Sequence, residues 1–225
     1  MILVTGASQG IGRNICERLL KKNSEVVGIG RKVDHLNFEA YSCDVRSYKD
    51  LKTLSAFLKK KYSTVSCLIN AAGIASMNLA LLTPQTVTEE IIKTNLMGTI
   101  FSCQIFSPLM IKNKWGSIIN FSTIAVPIGL KGESVYVASK AGVEGFSKSF
   151  AREMADFNIR VNCIAPGPID TNLTKTVSKN LIKKIVDQQI IPRQFSEDDV
   201  SNLVELLIDK RSETVSGQVI SPGGI

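Results

Sequence analysis

The sequence predicts an α/β fold, in which one domain holds a doubly wound parallel sheet between two layers of helices. Short apolar runs rich in Val and Ile alternate with longer helix-patterned segments along all 225 residues. Unbroken apolar strands of this kind are typical of parallel sheets that helices cover on both faces. The alternation continues to the C-terminus without repeats or a low-complexity linker, so we expect a single domain over residues 1–225.

Each element follows from this alternation. Strands are predicted at 2–5, 25–29, 39–43, 65–70, 117–122, 160–165 and 218–221. Helices are predicted near 10–22, 47–61, 88–112, 135–157 and 197–209.

Two segments depart from the pattern. The connection 30–38 is short for a parallel crossover, which usually needs about a dozen residues or more. Either its helix is a single turn or absent, or a strand boundary is misplaced. The segment 172–195 is polar, irregular and weakly periodic, which makes it a candidate lid over a site at the carboxyl ends of the strands.

Composition excludes several classes of protein. The net charge is +7, but basic runs such as 59–61 and 183–184 fall in helix-like segments and indicate solvated helix faces. No basic stripe is interleaved with aromatic residues, so nucleic acid is not an expected partner. There is no apolar window long enough to span a membrane and no signal-peptide pattern, so we expect no membrane association and a cytoplasmic location.

Metal chemistry is not expected either. The five cysteines lie in apolar runs without CxxC spacing, which indicates small buried thiols. His35 is the only histidine, so neither an HExxH zinc site nor a Cys/His cluster can be assembled.

A glycine-rich turn follows the first predicted strand. Residues 5–12 read TGASQGIG, and a helix-patterned segment comes directly after them. Glycines at such a turn let the backbone approach a pyrophosphate, which then lies on the free N–H groups of the helix N-terminus. The spacing differs from the usual GxGxxG pattern, and a tight strand-to-helix loop without a ligand is the alternative.

Further polar residues fall at the ends of the next strands, where doubly wound sheets bind ligands. Asp44 either accepts a hydrogen bond from an adenine amino group or caps the helix that starts near Ser47. The second strand ends in Gly30-Arg31 rather than in an acidic residue. Because an arginine can clamp a 2′-phosphate, we expect NADPH to be preferred over NADH; the alternative is that Arg31 is only a surface charge.

A candidate proton donor lies further along the chain. Tyr136 and Lys140 are four residues apart and therefore share one face of a helix. We expect the Lys140 ammonium to lower the pKa of the phenol from its usual value of about 10. We also expect it to bind ribose hydroxyls. A hydroxyl from the strand end at 122–123 would donate to a carbonyl oxygen, or would only satisfy local backbone groups. Asn95 is a poor mid-helix residue, and marks either a kink that binds a relay water or a tolerated surface position.

Taken together, four motifs in order resemble the short-chain dehydrogenase/reductase family over the whole chain. They are TGASQGIG at 5–12, NAAG at 70–73, YxxxK at 136–140 and PGPIDT at 166–171. The resemblance implies a Rossmann-like seven-stranded sheet, hydride transfer to or from a nicotinamide, and a homo-oligomer, either a tetramer or a dimer.

The resemblance also implies residue roles. Tyr136 would be the general acid, Lys140 its electrostatic and ribose-binding partner, and Asn95 the proton-relay residue. The family's catalytic serine aligns with Thr123, which keeps a donor hydroxyl, while Ser122 beside it is the alternative. The implied cofactor contacts, with Arg31 added from its position after the second strand, are Thr5, Gly6, Ser8, Gln9, Gly10, Ile11, Gly12, Arg31, Asp44, Val45, Asn70, Ala71, Gly73, Tyr136, Lys140, Pro166, Gly167, Ile169 and Thr171.

Within the family, the stretches 136–153 and 159–174 look most like the 3-oxoacyl-[acyl-carrier-protein] reductases. That likeness implies NADPH-dependent reduction of a 3-oxoacyl thioester delivered by an acidic acyl carrier protein. The carrier would dock beside the active-site entrance, where Lys114 fits one basic position and Phe157 replaces an expected arginine at another. The alternatives are a short-chain dehydrogenase for another ketone or alcohol (a polyol, a steroid or a secondary metabolite) and an NADP-sensing protein without turnover.

Overall fold

The computed structural model of the chain describes residues 1–171, 174 and 177–225. Within these residues seven strands form one sheet in the order β3-β2-β1-β4-β5-β6-β7, and every pairing is parallel. The strands are β1 Ile2–Thr5, β2 Val26–Gly30, β3 Ala40–Ser42, β4 Cys67–Asn70, β5 Gly116–Phe121, β6 Ile159–Ile164 and β7 Val219–Ile220. The predicted doubly wound, three-layer architecture is confirmed.

Helices cover both faces of the sheet. They are α1 Gly10–Lys21, α2 Tyr48–Lys61, α3 Gln85–Ile91, α4 Gly98–Phe106, α5 Pro108–Ile111, α6 Ala125–Ile128, α7 Ser134–Ala155, α8 Lys179–Val186 and α9 Glu197–Ile208. The helix expected at 88–112 is not continuous, because a π-helical turn at Ile92–Met97 separates α3 from α4. It breaks again before α5, where Pro108 has no N–H to continue the hydrogen-bond ladder.

Alternate strand residues supply two apolar cores, one on each face. Leu3 packs on the face that α2, α4 and α7 cover, whereas Ile2 and Val4 pack on the face under α1 and α9. All four residues of β1 are buried, as expected of a central parallel strand.

The short connection after β2 contains no helix. Residues 31–39 form turns, with the Leu36 N–H donating to the Val33 carbonyl, and the chain enters β3 with Gly28 paired to Ala40. Of the alternatives that the sequence left open, the absent helix is correct. Within this connection the side chain of Val33 is buried.

The predicted lid segment 172–195 is not irregular throughout. It contains α8, which Ser178 caps by accepting a hydrogen bond from the Leu181 N–H. Residues 172, 173, 175 and 176 of this segment lie outside the described residues. In the part of the chain that the structure describes, no helix is long and apolar enough to cross a membrane.

Candidate active site

The turn between β1 and α1 lies at the point where the chain order of the sheet reverses. Gly6 has a φ of +71°, and a Cβ there would lie 2.6 Å from the Ala72 nitrogen. At Gly12 a Cβ would lie 2.4 Å from the Gly6 carbonyl oxygen, so α1 packs onto the turn without a side chain between them. Gly10 has a φ of +57°, which favours glycine, and a Cβ there would meet the side chains of Glu197 and Thr171 at 3.8 Å and 3.9 Å. The turn therefore forms a cradle of the shape that a pyrophosphate needs.

A groove runs from this turn along the carboxyl ends of β1, β2 and β4. Its described lining residues are Gly6, Ser8, Gln9, Gly10, Ile11, Gly12, Ile29, Gly30, Arg31, Cys43, Asp44, Val45, Arg46, Ala71, Ala72, Gly73, Ile74, Thr94 and Thr171. Two residues with an implied cofactor role lie beneath this surface instead. Thr5 accepts a hydrogen bond from the Ala72 N–H at 3.3 Å, and Asn70 is buried in the sheet.

Arg31 and Arg46 both line the far end of the groove. Arg31 is exposed and lines the groove. The pKa of Asp44 is lowered mainly by its hydrogen bonds with Arg46, and the charge of Arg31 adds to this effect. The Asp44 carboxylate is held by the Arg46 side chain, with the closest N–O distance 2.6 Å, and by the Arg46 backbone N–H. The alternative in which Asp44 caps α2 is wrong, because Ser47 occupies the cap and accepts from the Asp50 N–H. Arg46 was not predicted, although it lies only two residues after Asp44.

A second pocket continues from the groove and shares Ile11, Ala71, Gly73, Ile74 and Thr171 with it. It has a volume of about 1010 Å³ including its open mouth. The other described lining residues are mainly apolar; they are Ala75, Phe121, Ser122, Thr123, Ile124, Ala125, Ile128, Leu130, Glu133, Tyr136, Lys140, Pro166, Gly167, Pro168, Ile169, Thr174, Val177, Ile182 and Ile185. The structure thus brings Thr123, Tyr136 and Lys140 together with the predicted residues of the 166–171 motif.

The phenol of Tyr136 lies in this pocket, within hydrogen-bonding reach of the Thr123 hydroxyl. Desolvation raises the pKa of Tyr136 above its ordinary value, and the negative charge of Glu133 raises it further, while Thr123 opposes the shift. Ser122 is turned to a different partner, because its hydroxyl donates to the carboxylate of Glu144 on α7. Of the two candidate hydroxyls, the one next to the phenol is that of Thr123.

Lys140 is buried beside Tyr136, with its Nζ 5.9 Å from the centre of the phenol ring. Its ammonium donates to the Phe121 carbonyl at 2.8 Å, and desolvation lowers its pKa to about 8. The expectation that Lys140 lowers the pKa of Tyr136 is not confirmed. The ammonium is directed to the end of β5. The shift in the pKa of the phenol comes from its desolvation, from Glu133 and from Thr123.

Asn95 lies in the π-helical turn and is fully buried, so the alternative of a tolerated surface position is wrong. Its side chain accepts from the Ile74 N–H at 2.9 Å and donates to the Ile74 carbonyl and to Ser139. A Cβ on Gly73 would lie 3.4 Å from Asn95 Oδ1 and 3.6 Å from Lys140 Nζ, so both polar groups border the same small space. The Asn95 carbonyl accepts from the Thr99 hydroxyl at 2.8 Å.

A buried polar layer supports the site from below. Asn70 on β4 donates to Asn120 on β5 at 2.8 Å, and Asn120 donates to Ser147 on α7 at 2.7 Å. Because Asn70 and Asn120 are in register on neighbouring strands, these bonds connect the central strands to the helix that carries Tyr136. Sequence reasoning missed Asn120 and Ser147; the one available signal was the repeated asparagine at the ends of two apolar strands.

The two positions expected for carrier docking lie away from the pocket. Lys114 precedes β5 and Phe157 precedes β6, and the Asn158 amide donates to the Lys114 carbonyl at 3.0 Å. Both therefore lie at the amino ends of the strands, whereas the pocket lies at their carboxyl ends. In a single chain the expectation that these residues border the active-site entrance is wrong.

Comparison with known proteins places this geometry in a family. The family model described as short chain dehydrogenase matches residues 1–182. The 3-oxoacyl-[acyl-carrier-protein] reductase FabG of Staphylococcus aureus (strain Mu50) is 33% identical over 236 residues, which cover 99% of this chain and 96% of that relative. The chain belongs to the short-chain dehydrogenase family.

Other family members agree in sequence and in fold. The FabG reductase of Aquifex aeolicus is 32% identical over 235 residues, covering 99% of this chain and 95% of that relative. Among solved structures, ElxO with NADP bound matches with a TM-score of 0.89 and 28% identity, covering 98% of this chain and 95% of that one. The ligand-free aldohexose dehydrogenase of Thermoplasma acidophilum matches with a TM-score of 0.88 and 28% identity, covering 98% and 91%. As a short-chain dehydrogenase, the chain is an NAD(P)-dependent oxidoreductase.

Proposed function

We propose that this short-chain dehydrogenase uses NADPH to reduce the ketone of a 3-oxoacyl thioester to a secondary alcohol. The observation that carries the proposal is the Tyr136 phenol beside Thr123 and Lys140, in a pocket continuous with the glycine-lined groove. In the proposed roles, Tyr136 is the general acid, Thr123 binds the carbonyl oxygen, and Lys140 and Asn95 return the proton.

The groove fits a dinucleotide. Gly10 begins α1 without a side chain of its own, and N–H groups and the helix dipole at this N-terminus favour a pyrophosphate. Val45 lines the groove beside Asp44, Ala71 and Gly73 line both the groove and the pocket, and Ile169 and Thr171 line the pocket. A bound reduced nicotinamide supplies the hydride that the ketone carbon receives.

The protein's own residues handle the proton. The raised pKa of Tyr136 keeps the phenol protonated near neutral pH, so that it can donate to the carbonyl oxygen as negative charge develops there. The Thr123 hydroxyl, held next to the phenol, donates to the same oxygen. Lys140, with a pKa of about 8, can then return a proton to the phenolate near neutral pH, and Asn95 borders the space through which that proton is replaced.

The preference for NADPH rests on Arg31. Its guanidinium lies at the end of the groove nearest β2, with no ion pair to another described residue, while the neighbouring Arg46 is paired with Asp44. A 2′-phosphate would supply Arg31 with an anionic partner. ElxO, a structural neighbour, is known with NADP bound, which supports this choice.

A 3-oxoacyl substrate is supported by the pocket lining and by the relatives. The described lining is mostly aliphatic, as an acyl chain requires, and two aligned relatives are named 3-oxoacyl-[acyl-carrier-protein] reductases. For the segment 172–195 we propose a lid, since Ile182 and Ile185 of α8 line the pocket while Lys183 and Lys184 are exposed. An acidic carrier protein would meet this basic outer face of α8 rather than Lys114. A cytoplasmic homotetramer remains part of the proposal through the family resemblance.

The proposal is tested by following NADPH oxidation with purified protein and an acetoacetyl thioester, with NADH in parallel. Rapid oxidation of NADPH and slow oxidation of NADH are expected. Reduction of a polyol-derived, steroid or other ketone in preference to the thioester would move the substrate elsewhere within the family. Tight NADPH binding without turnover of any ketone would indicate the NADP-sensing alternative.

A further inference from the structure

The pocket contains an ionisable group that the proposed mechanism does not use. Glu133 immediately precedes α7, three residues before Tyr136, and lines the pocket beside it. At a helix N-terminus an acidic side chain often caps the free N–H groups, but the Glu133 side chain makes no cap hydrogen bond. Only its backbone is engaged, donating to the Leu130 carbonyl and accepting from the Val137 N–H.

The Glu133 carboxyl also lacks a side-chain partner among the described residues. No ion pair or side-chain hydrogen bond involves it, and desolvation alone raises its pKa. A partly buried carboxyl without a partner is costly, so such a group is usually satisfied by water or by a ligand.

No other charged side chain in the described lining is paired with the Glu133 carboxyl. From α7 the pocket receives Tyr136 and Lys140, and the Lys140 ammonium is bound to the Phe121 carbonyl. From α8 it receives Ile182 and Ile185, and the described residues of the loop after β6 contribute only uncharged side chains, namely two prolines, Gly167, Ile169, two threonines and Val177. The carboxyl is therefore the one acidic hydrogen-bond acceptor that the described lining offers to a substrate.

We propose that Glu133 is a specificity-determining residue, whose carboxyl accepts a hydrogen bond from an N–H or O–H group in the substrate chain that flanks the carbonyl to be reduced. The inference rests on the proposed function and narrows its substrate. In a thioester with a pantetheine-type arm, the donor is the amide N–H next to the thioethyl group. A ketone with an apolar flank at that place leaves the carboxyl unpaired and is reduced less well.

The same carboxyl is coupled to the proton donor. Its negative charge raises the pKa of Tyr136, so removing the charge eases ionisation of the phenol. A merely structural role for Glu133 would not move the pH profile of turnover.

The test uses two acetoacetyl thioesters, one with an N-acetylcysteamine arm and one with the same arm methylated at the amide nitrogen. The pair differs only in the N–H donor and the methyl group. We expect wild-type protein to favour the N–H substrate by about tenfold in kcat/KM, Glu133→Gln to keep part of that preference, and Glu133→Met to lose it. In Glu133→Gln the alkaline limb of kcat/KM should also move to lower pH. Glu153→Met, an exposed position on the same helix, is the matched control.

A preference that survives in Glu133→Met overturns the inference, because it would then come from the bulk of the methyl group. A Glu133→Gln pH profile identical to that of wild type overturns it as well. Wild-type turnover with either of these results leaves the proposed function standing. A wild-type protein that reduces neither thioester overturns both. If Glu133→Met is poorly folded, Glu133→Gln still decides through its pH profile.

Discussion

Thr123, at the end of β5, presents its hydroxyl to the phenol of Tyr136 on α7. The same hydroxyl oxygen accepts from the Ala125 N–H at 3.2 Å, which fixes the side chain at the start of α6. The oxygen of a bound ketone can thus receive two donors from two different elements of the fold. The neighbouring Ser122 is committed to Glu144 and contributes to the attachment of α7 instead.

Thr123→Val is therefore expected to lower kcat by about 100-fold or more, because one donor to the developing oxyanion is lost with little change in shape. Thr123→Ser should keep most of the activity, since it retains the hydroxyl. Ser122→Ala is the matched control and should change kcat far less. Initial rates of NADPH oxidation measure all three. If Ser122→Ala is the more damaging change, the hydroxyls have been assigned in the wrong order.

Arg31→Ser is expected to lower kcat/KM for NADPH by about 10- to 100-fold, the effect of losing a charge-assisted hydrogen bond to a phosphate. Values for NADH should stay within about twofold, because that cofactor has no 2′-phosphate. Lys32→Ser, at the exposed neighbouring position, tests whether any nearby positive charge is enough. Equal losses for the two cofactors would remove Arg31 from cofactor selection.

Lys140 makes the stability of the protein depend on pH. Burial lowers its pKa to about 8, whereas a lysine in the unfolded chain titrates near about 10.4. Between these two values the unfolded chain binds more protons than the native protein, so the contribution of Lys140 to the free energy of unfolding rises with pH. Below about pH 8 both states are protonated and the contribution stays constant at its unfavourable value.

Lys140→Met removes this dependence. The difference in free energy of unfolding, wild type minus variant, should rise by roughly 2–3 kcal/mol from pH 8 to pH 10.4. Denaturant titrations at several pH values in this range measure it, and other ionisable groups cancel in the difference. Parallel curves for the two proteins would show that the ammonium is not desolvated in the native state.

The fold was predictable because burial on both faces of a parallel sheet leaves its mark in consecutive residues. The four apolar residues Met1 to Val4 predict the strand that the structure has at Ile2–Thr5, and the cysteines were correctly interpreted as buried thiols. Helix continuity from 88 to 112 was not predictable to the same degree. Asn95 in the π-helical turn donates to Ser139, 44 positions further along the chain, and a contact between residues so far apart leaves no local pattern in the sequence.

The candidate catalytic residues were predictable from the sequence, whereas their hydrogen bonds and the neighbouring residues Arg46, Asn120 and Ser147 were not. Tyr136 and Lys140 share a helix face as their spacing indicated, yet the direction of the ammonium depends on the carbonyl of Phe121 on another element. For the same reason the sequence left the choice between Thr123 and Ser122 open, because Glu144, the partner of Ser122, lies 22 positions further along the chain. The sequence could have indicated that Glu133 lies near Tyr136, because the two residues are three positions apart at the start of one helix.

The most direct test of the account compares Tyr136→Phe with wild type in two measurements, NADPH binding and NADPH-dependent reduction of an acetoacetyl thioester. Loss of the phenolic proton should reduce turnover by at least about 100- to 10,000-fold, while the dissociation constant for NADPH stays nearly unchanged, because the ring and its packing are retained. Substantial turnover by the phenylalanine variant, with cofactor bound as before, would contradict the assignment of Tyr136 as the proton donor.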